Sequence, residues 1–576
     1  MHAALRSRIL TGISLCALIL LNACGGGGGG GGGGAPVTPV TPVTPQADVF
    51  NWTGNTRLTV AASPTTGLLA NDPPGTVITA ADTLSTQGGA VNVVLASGAF
   101  TYDPPVGLQN VADTFTYTTS GALPTTVTVN LAERIWYIDN SLQINGDGTF
   151  GNPFNTLAAA ETPVSDANDT IFVFTGVPAA PTDVGQNLGI TLVTGQKLLG
   201  QGLPLLINGV QVAPLRPNPP VISNAGLAAG GDIPVVRLAT GNEVAGFTIL
   251  AAFNEGILAL GGGGHNLHDN DFIFDANNGR EGIRLLNVTG ENFVNVNTIT
   301  GSLRDGIKLA NNEDQAGNAV AATPIVASVT MSRNTIADSA QDGINVNLDG
   351  AGTNVTLNVL TNTITNSGTA GANEGININS LGDANVTAVV SRNTISGSAQ
   401  EAIDQAAADT SGMNVFVANN NLSNSVGPDF SAAIVNAGAA FCLELINNFN
   451  AAGNTAFLLA NNGGVAADFR FFEVNNDTPA GPVIPSTPVA QGECAIPLDG
   501  AALFVANCAK CHTGNGLGLT TVKQLIGPDI TNATPEAINL QLGNNGSMIL
   551  DFSPTGRLRL TQQEITAIAA ALVLAP

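Results

Sequence analysis

Asn297-Thr298-Ile299-Thr300 returns along the chain as Asn334-Thr335-Ile336-Ala337, Asn362-Thr363-Ile364-Thr365 and Asn393-Thr394-Ile395-Ser396, with Asn421-Leu422-Ser423 as a decayed copy. A second short element follows each copy: Asp305-Gly306-Ile307, Asp342-Gly343-Ile344, Glu374-Gly375-Ile376 and Glu401-Ala402-Ile403. The leading asparagines lie 37, 28 and 31 residues apart, so loops of unequal length interrupt a common unit. A period in this range marks a solenoid. Each unit carries short β-branched strands that cannot bury a face alone, and stacking supplies the core. Stacked asparagines can hydrogen-bond in a ladder along the axis. The glycine of the second element is expected to take the left-handed turn into the next strand.

Upstream, Trp136-Tyr137-Ile138-Asp139, Gly146-Asp147-Gly148-Thr149, Asn152-Pro153-Phe154-Asn155-Thr156-Leu157 and Asp169-Thr170-Ile171-Phe172-Val173 follow in order. This series resembles the opening of a pectin-lyase-like right-handed parallel β-helix, in which a first strand, a short helix and a capping strand start the coil. The resemblance places the solenoid at residues 133–488 and implies a scaffold, a polysaccharide-binding surface or a polysaccharide-cleaving enzyme. Arg304 and Lys308 flank Asp305, and His265, His268, Asp269 and Asp271 cluster near one rung. The hydrolase branch of such folds needs a Gly-His-Gly element, which the sequence lacks. The lyase branch needs calcium-binding acids and a basic residue poised to take a sugar proton. Ordinary turn and surface positions are the expected role of these residues.

Residues 47–132 have a different texture. Arg57-Leu58-Thr59-Val60, Val91-Asn92-Val93-Val94, Phe100-Thr101-Tyr102, Phe115-Thr116-Tyr117 and Thr126-Val127-Thr128-Val129 alternate as half-buried strands do. Gly67-Leu68-Leu69-Ala70-Asn71-Asp72, Gly98-Ala99-Phe100-Thr101-Tyr102-Asp103-Pro104 and Asp113-Thr114-Phe115-Thr116-Tyr117 resemble the cadherin-like and immunoglobulin-like modules of bacterial surface proteins. That resemblance implies a β-sandwich acting as a spacer. Asp72 and Asp113 are the acids that Ca2+ would use there, with a surface turn as the expected alternative.

The N-terminus reads as an address. Arg6 and Arg8 precede the apolar run Ile9 to Leu21, which has the layout of a secretory signal and is short for a bilayer span. Leu21-Asn22-Ala23-Cys24 resembles a bacterial lipobox, which implies cleavage after residue 23 and a lipid on Cys24. Gly25 behind that cysteine resembles outer-membrane sorting, on the periplasmic or the cell-surface face. Ten glycines and then Pro-Val-Thr repeats make a tether over residues 24–46. The formal charge is -24, from 42 acidic and 18 basic residues. That balance excludes nucleic acid, which needs a basic footprint, and electrostatic docking on anionic lipid. It permits a basic protein partner.

Of the six cysteines, Cys16 leaves with the signal and Cys24 carries the lipid. Cys442 and Cys494 are expected to pair, since disulfides survive in an exported chain. The remaining two stand in Cys508-Ala509-Lys510-Cys511-His512, the attachment sequence for covalent haem. Between Cys511 and the C-terminus the only imidazole is His512 and the only thioether Met548, with no fourth thiol or imidazole for zinc and a pair suited to haem. A capped helix, Asp499 to Asn507, leads into the motif. Thr534-Pro535-Glu536 starts another before the Met548 loop, and the capping box Thr561-Gln562-Gln563-Glu564 opens a last one over Ile565 to Leu574. Gly500, Phe504 and Gly527-Pro528 complete a resemblance to class I c-type cytochromes over roughly residues 495–574, in a domain expected at 489–576. It implies one haem c bound through Cys508 and Cys511, with His512 and Met548 as axial ligands to the iron and one-electron transfer as the activity.

The expected fold is therefore mainly β: a β-sandwich, then a right-handed parallel β-helix, then a small all-α cytochrome c domain. The expected partners are a redox protein and, on the alternative reading, a polysaccharide. Contact with the membrane runs through the lipid anchor alone.

Overall fold

The alternation in Val111–Thr119 persists in space, with every second side chain buried from Asp113 to Thr119. In the computed structural model this strand pairs antiparallel with Ile78–Ala81 and with Pro124–Ile138, and Asp48–Gly54 adds parallel to the latter. A second layer, Leu58–Val60, Ala99–Asp103 and Ala90–Val94, faces it. Trp52, Phe100, Tyr102, Phe115, Tyr117, Val127 and Val129 fill the space between, with Phe100 and Phe115 meeting edge to face at 5.5 Å. Two layers, antiparallel but for Asp48–Gly54, closing on an aromatic core are what the alternating strands require.

The structure describes residues 45–498 except 64, 121–123, 162–165, 178, 228–232, 275–278, 451–456, 464, 466–467, 475, 478–489, 495 and 497. Beyond these it describes Leu503, Thr520–Thr521, Gln524–Leu525, Glu564 and residues 566–568. They belong to one compact unit. Among the described residues α-helix is confined to Ala158–Glu161, where the opening of the coil was expected to carry a short one, and to Leu503, Glu564 and residues 566–568.

The expected boundary at 132/133 falls inside a single strand, Pro124–Ile138. Its burial alternates through Leu131 and then becomes continuous from Arg134 to Ile138. The reason is a second buried face: Ile135 and Tyr137 stay in the module's core, while Trp136 and Ile138 point into the next. From Ile135 onward the strand pairs parallel with Thr170–Val173 and starts the coil. Arg134 ties the junction, donating to the Gly107 carbonyl at 2.8 Å and to Asp169 at 3.0 Å, with a further bond to Asp166.

Three long sheets, parallel throughout the coil, then run side by side, and each turn of chain gives one strand to each. They hold sixteen, nine and ten strands, the first including the module's own. This mainly β arrangement of parallel sheets is that of a β-helix. Ile299, Ile336, Ile364, Ile395 and Leu422 stack on neighbouring rungs of one sheet, and Ile307, Ile344, Ile376, Ile403 and Phe430 of another. All are buried in one continuous core.

The asparagine ladder is longer than the quoted repeats. It runs through Asn270, Asn297, Asn334, Asn362, Asn393, Asn420, Asn448 and Asn476, each Nδ2 donating to the next Oδ1 at 2.9–3.1 Å. The fifth copy is whole, because Asn420 takes the ladder place and Asn421 pairs with Thr394.

The glycines do a different job from the one expected. Left-handed backbone falls on the residue before each ladder asparagine from Asn270 to Asn448: Asp269, Val296, Arg333, Thr361, Arg392, Asn419 and Asn447, with φ from 53° to 58°. Gly306, Gly343 and Gly375 are needed for space. A Cβ on Gly343 would lie 2.5 Å from Ile364 Cγ2 and 2.6 Å from the Gly375 carbonyl oxygen. A β-branched residue such as Val296 is strained at its φ of 58°. Val296→Asn is expected to raise stability by about 1 kcal/mol, read as a higher urea midpoint, since Asn419 and Asn447 already hold the same turn.

Candidate functional site

Cys24, Cys508, Cys511, His512 and Met548 lie outside the described residues, as do most of the helices expected around them. Cys442 and Cys494 are joined by a disulfide, their Cα atoms 5.7 Å apart. Cys442 stands on Ala440–Ile446, near the last rungs, and the Cys494 N–H donates to buried Glu444 at 2.6 Å. The link fastens the chain to the solenoid just before it runs on toward residue 508.

The densest chemistry among the described residues is a charged column on one flank. The acid of each second element stacks on the next: Glu255, Glu281, Asp305, Asp342, Glu374 and Glu401, each just ahead of its strand. The Asp342 N–H donates to Asp305 Oδ1 at 3.1 Å, and the Glu374 N–H to Asp342 Oδ1 at 2.8 Å, so the acids form their own ladder. Beside them runs a second column in register, Arg284, Lys308, Asn345, Asn377 and Asp404.

The lower half of this flank is neutralised and covered. Arg284 is 0% exposed and donates to Glu255 at 3.1 Å, to Glu313 at 2.9 Å and to the carbonyls of Gln315 and Asp314 at 2.7 and 2.9 Å. Lys308 meets Glu313 at 2.9 Å and Asp305 at 3.4 Å. Arg280 donates to the carbonyls of Gln315 and Ala316. Loop 311–323, which accounts for the long 37-residue spacing, is thus pinned over the cluster. Asp305 is buried here and Lys308 half-buried, which corrects the expectation of ordinary surface positions. Burial lifts the Asp305 carboxyl to about 7 against the pull of Lys308.

In the upper half amides replace the cations. Asn345 donates to Asp342, and Asn377 to Glu374 at 3.1 Å. Burial, then the shared hydrogen bond with Asp342, pushes the Glu374 carboxyl up to about 9, so this pair holds a proton at neutral pH. Burial raises Glu401 and Asp404 as well, with added repulsion from Asp404 on Glu401 and from Asp342 on Asp404. A buried acid that keeps its proton beside a second carboxylate can donate and accept protons.

The other residues singled out from the sequence do not converge. His268 bridges Asp269 at 2.8 Å and Glu243 at 3.1 Å, and Glu243 also meets Lys197. Burial disfavours its charge, but the bonds to Asp269 and Glu243 outweigh this and raise it to about 9. His265 is 0% exposed and Asp271 faces solvent. Asp113 is 0% exposed, which corrects the surface-turn expectation. Its oxygens accept from Ser85, from Tyr102 at 2.7 Å, from Thr86 at 2.9 Å and from the Gln87 N–H at 2.9 Å. Asp72 accepts from the Gln46 N–H and from Tyr117. Among the described residues no group of three or more His, Cys, Asp or Glu is placed to hold a metal ion.

Glu255, Glu281, Arg284 and Glu313 were missed in the sequence. Glu255-Gly256-Ile257 and Glu281-Gly282-Ile283 carry the acid-Gly-Ile signature and were there to be found. No protein-family model matches the chain, and neither the curated proteins nor the solved structures contain a match to it.

The raised groups set a pH dependence. A carboxyl lifted from 4.5 to about 9 stabilises the fold fully below pH 4.5, and that contribution is lost as pH rises to about 9. His268, lifted from 6.5 to about 9, loses its share between those values. The thermal midpoint is therefore expected to fall from pH 6.5 to pH 9. Glu374→Gln should flatten the slope by at most about 1.4 kcal/mol per pH unit, the value of one proton. An unchanged slope in that variant means Glu374 is ionised in the fold.

Proposed function

We propose that the chain is an exported, lipid-anchored, mono-haem c-type cytochrome that transfers single electrons, with the β-helix as its scaffold. The observation that carries this reading is Cys508-Ala509-Lys510-Cys511-His512, with Met548 as the one thioether that follows it. The donor set fits the group: two thiols three residues apart for its vinyls, an imidazole and a thioether for its iron. Bound in that way, the group supplies a one-electron couple with no open position for substrate. Cys508 and Cys511 hold it covalently, and His512 and Met548 close the shell. Cys24 anchors the chain to the outer membrane. The cadherin- or immunoglobulin-like module and the right-handed coil hold the redox terminus away from lipid. The formal charge of -24 suits a basic redox partner.

The test is a pyridine haemochrome assay on full-length protein matured with the c-type assembly machinery. A covalent signal is expected, lost in Cys508→Ser/Cys511→Ser. The long-wavelength band of thioether-ligated ferric haem is expected to disappear in Met548→Ala. Absence of covalent haem in the parent chain removes the redox reading.

The raised Glu374 carboxyl beside Asp342 favours a second reading, a polysaccharide-active coil with an accessory cytochrome. Release of unsaturated product from a uronic polymer, abolished by Glu374→Gln, would support it.

A further inference from the structure

Strands of the sixteen-stranded sheet should alternate between core and solvent, and over several rungs they do not. Val326–Ser332, Asn354–Leu360, Asn385–Ser391 and Gly412–Ala418 each end in four consecutive buried residues. Inward positions such as Leu357, Ala388 and Val415, aligned in register on successive rungs, belong to the coil's core. The outward ones, Asn358, Val389 and Phe416 in one column and Leu360 and Ala418 in the next, lie outside it yet are at most 1% exposed. Arg392 and Asn419, on the adjoining turn, are also buried. An outer sheet face this apolar and this dry is covered.

A later residue of the chain reaches this face. Glu564, helical and 0% exposed, receives Arg392 Nη2 at 2.6 Å, a second bond from Arg392 Nη1, and the Ser391 hydroxyl at 3.0 Å. Ile568, one helical turn on and on the same face, is 0% exposed, as is Leu503. At the far side of the patch the Cys442–Cys494 disulfide and the Cys494–Glu444 hydrogen bond hold the start of the same segment.

We propose that this outer face is an intramolecular dock for the C-terminal segment, residues 495–576, latched by Arg392 and Glu564. Its consequence for electron transfer rests on the cytochrome reading: a docked segment presents its redox centre in one orientation, and the partner meets the coil and the centre together. The dock itself needs no haem to be measured.

The experiment uses the full chain and reads hydrogen exchange over residues 412–418 and 564–568, with haem content followed separately by pyridine haemochrome. Glu564→Arg leaves every residue of the coil unchanged and opposes Arg392 with a like charge. Exchange in both windows is expected to rise about tenfold or more, because one partner of a buried pair is left uncompensated. Adding Arg392→Glu restores the opposite charges and is expected to recover protection to within about threefold. Unaltered exchange in Glu564→Arg overturns the dock whatever the haem content. Protection that grows with protein concentration also overturns it, by assigning the face to a second copy. Loss of covalent haem with protection intact leaves the dock standing and removes the redox reading.

Discussion

Arg284→Ala is expected to lower the stability of the coil by about 3–5 kcal/mol, because it strips a buried cation from acids that stay buried. The guanidinium is 0% exposed, and so are Glu255 and Glu281, which lie 3.1 and 3.8 Å from it. Glu313 loses its 2.9 Å partner and two carbonyls of loop 311–323 lose their donor. Burial disfavours the Arg284 charge, yet the three acids outweigh it and hold the group above its usual range. Arg284→Lys keeps the charge and loses the fork, so a smaller loss of about 2 kcal/mol is expected. Urea unfolding reads the total, and hydrogen exchange over 311–323 reads the loop. The penalty should shrink at lower pH, as Glu255, already raised by burial, takes up a proton. A change below about 1 kcal/mol in Arg284→Ala would mean that water reaches the cluster and the network is worth no more than a surface pair.

How far the sequence carried is clearest rung by rung. The repeated Asn-Thr-Ile and acid-Gly-Ile triplets gave away the coil because each rung reuses the same interior positions, and the strands appear where the triplets are. The role of the glycines was hidden. A recurring Gly signals either positive φ or missing space, and only the 2.5 Å approach of Ile364 to Gly343 tells which. Four of the true left-handed positions carry Val296, Arg333, Thr361 and Arg392, residues with no turn signature, held there by the ladder behind them.

The charged cluster was half legible. Arg304, Asp305 and Lys308 stood out, but the ion pairs of this cluster depend on loop 311–323 folding back, and nothing local announces that. The covered outer face left a trace in Val359-Leu360, Val389-Val390 and Val415-Phe416-Val417, apolar runs where alternation should have placed a polar residue. Such runs mark strands buried on both faces. In this chain they connect the coil, whose repeats are plain, to the segment that carries the haem motif.

The ladder register offers the sharpest contrast within two adjacent residues. Asn420 donates Nδ2 to the Val390 carbonyl and to Asn448 Oδ1, both at 2.9 Å, and accepts from the Asn393 N–H and Nδ2 at 2.9 and 3.0 Å. Asn421 is exposed and begins the next strand. Asn420→Ala therefore leaves donors and acceptors unmet on the two neighbouring rungs in a site no water reaches. At about 1–1.5 kcal/mol for each of these four bonds, a loss of about 4–6 kcal/mol is expected. Asn420→Asp keeps the acceptors, removes both donors and sets a carboxylate against Asn448 Oδ1, so it should be at least as damaging. Asn421→Ala should stay within about 0.5 kcal/mol of the parent. Because rungs stabilise their neighbours, the loss at Asn420 should also raise hydrogen exchange in the Asn393 and Asn448 rungs and leave the Asn270 rung protected. Equal effects of the two alanines would mean that the ladder contributes no more than a surface amide and that the stacked isoleucines alone set the register.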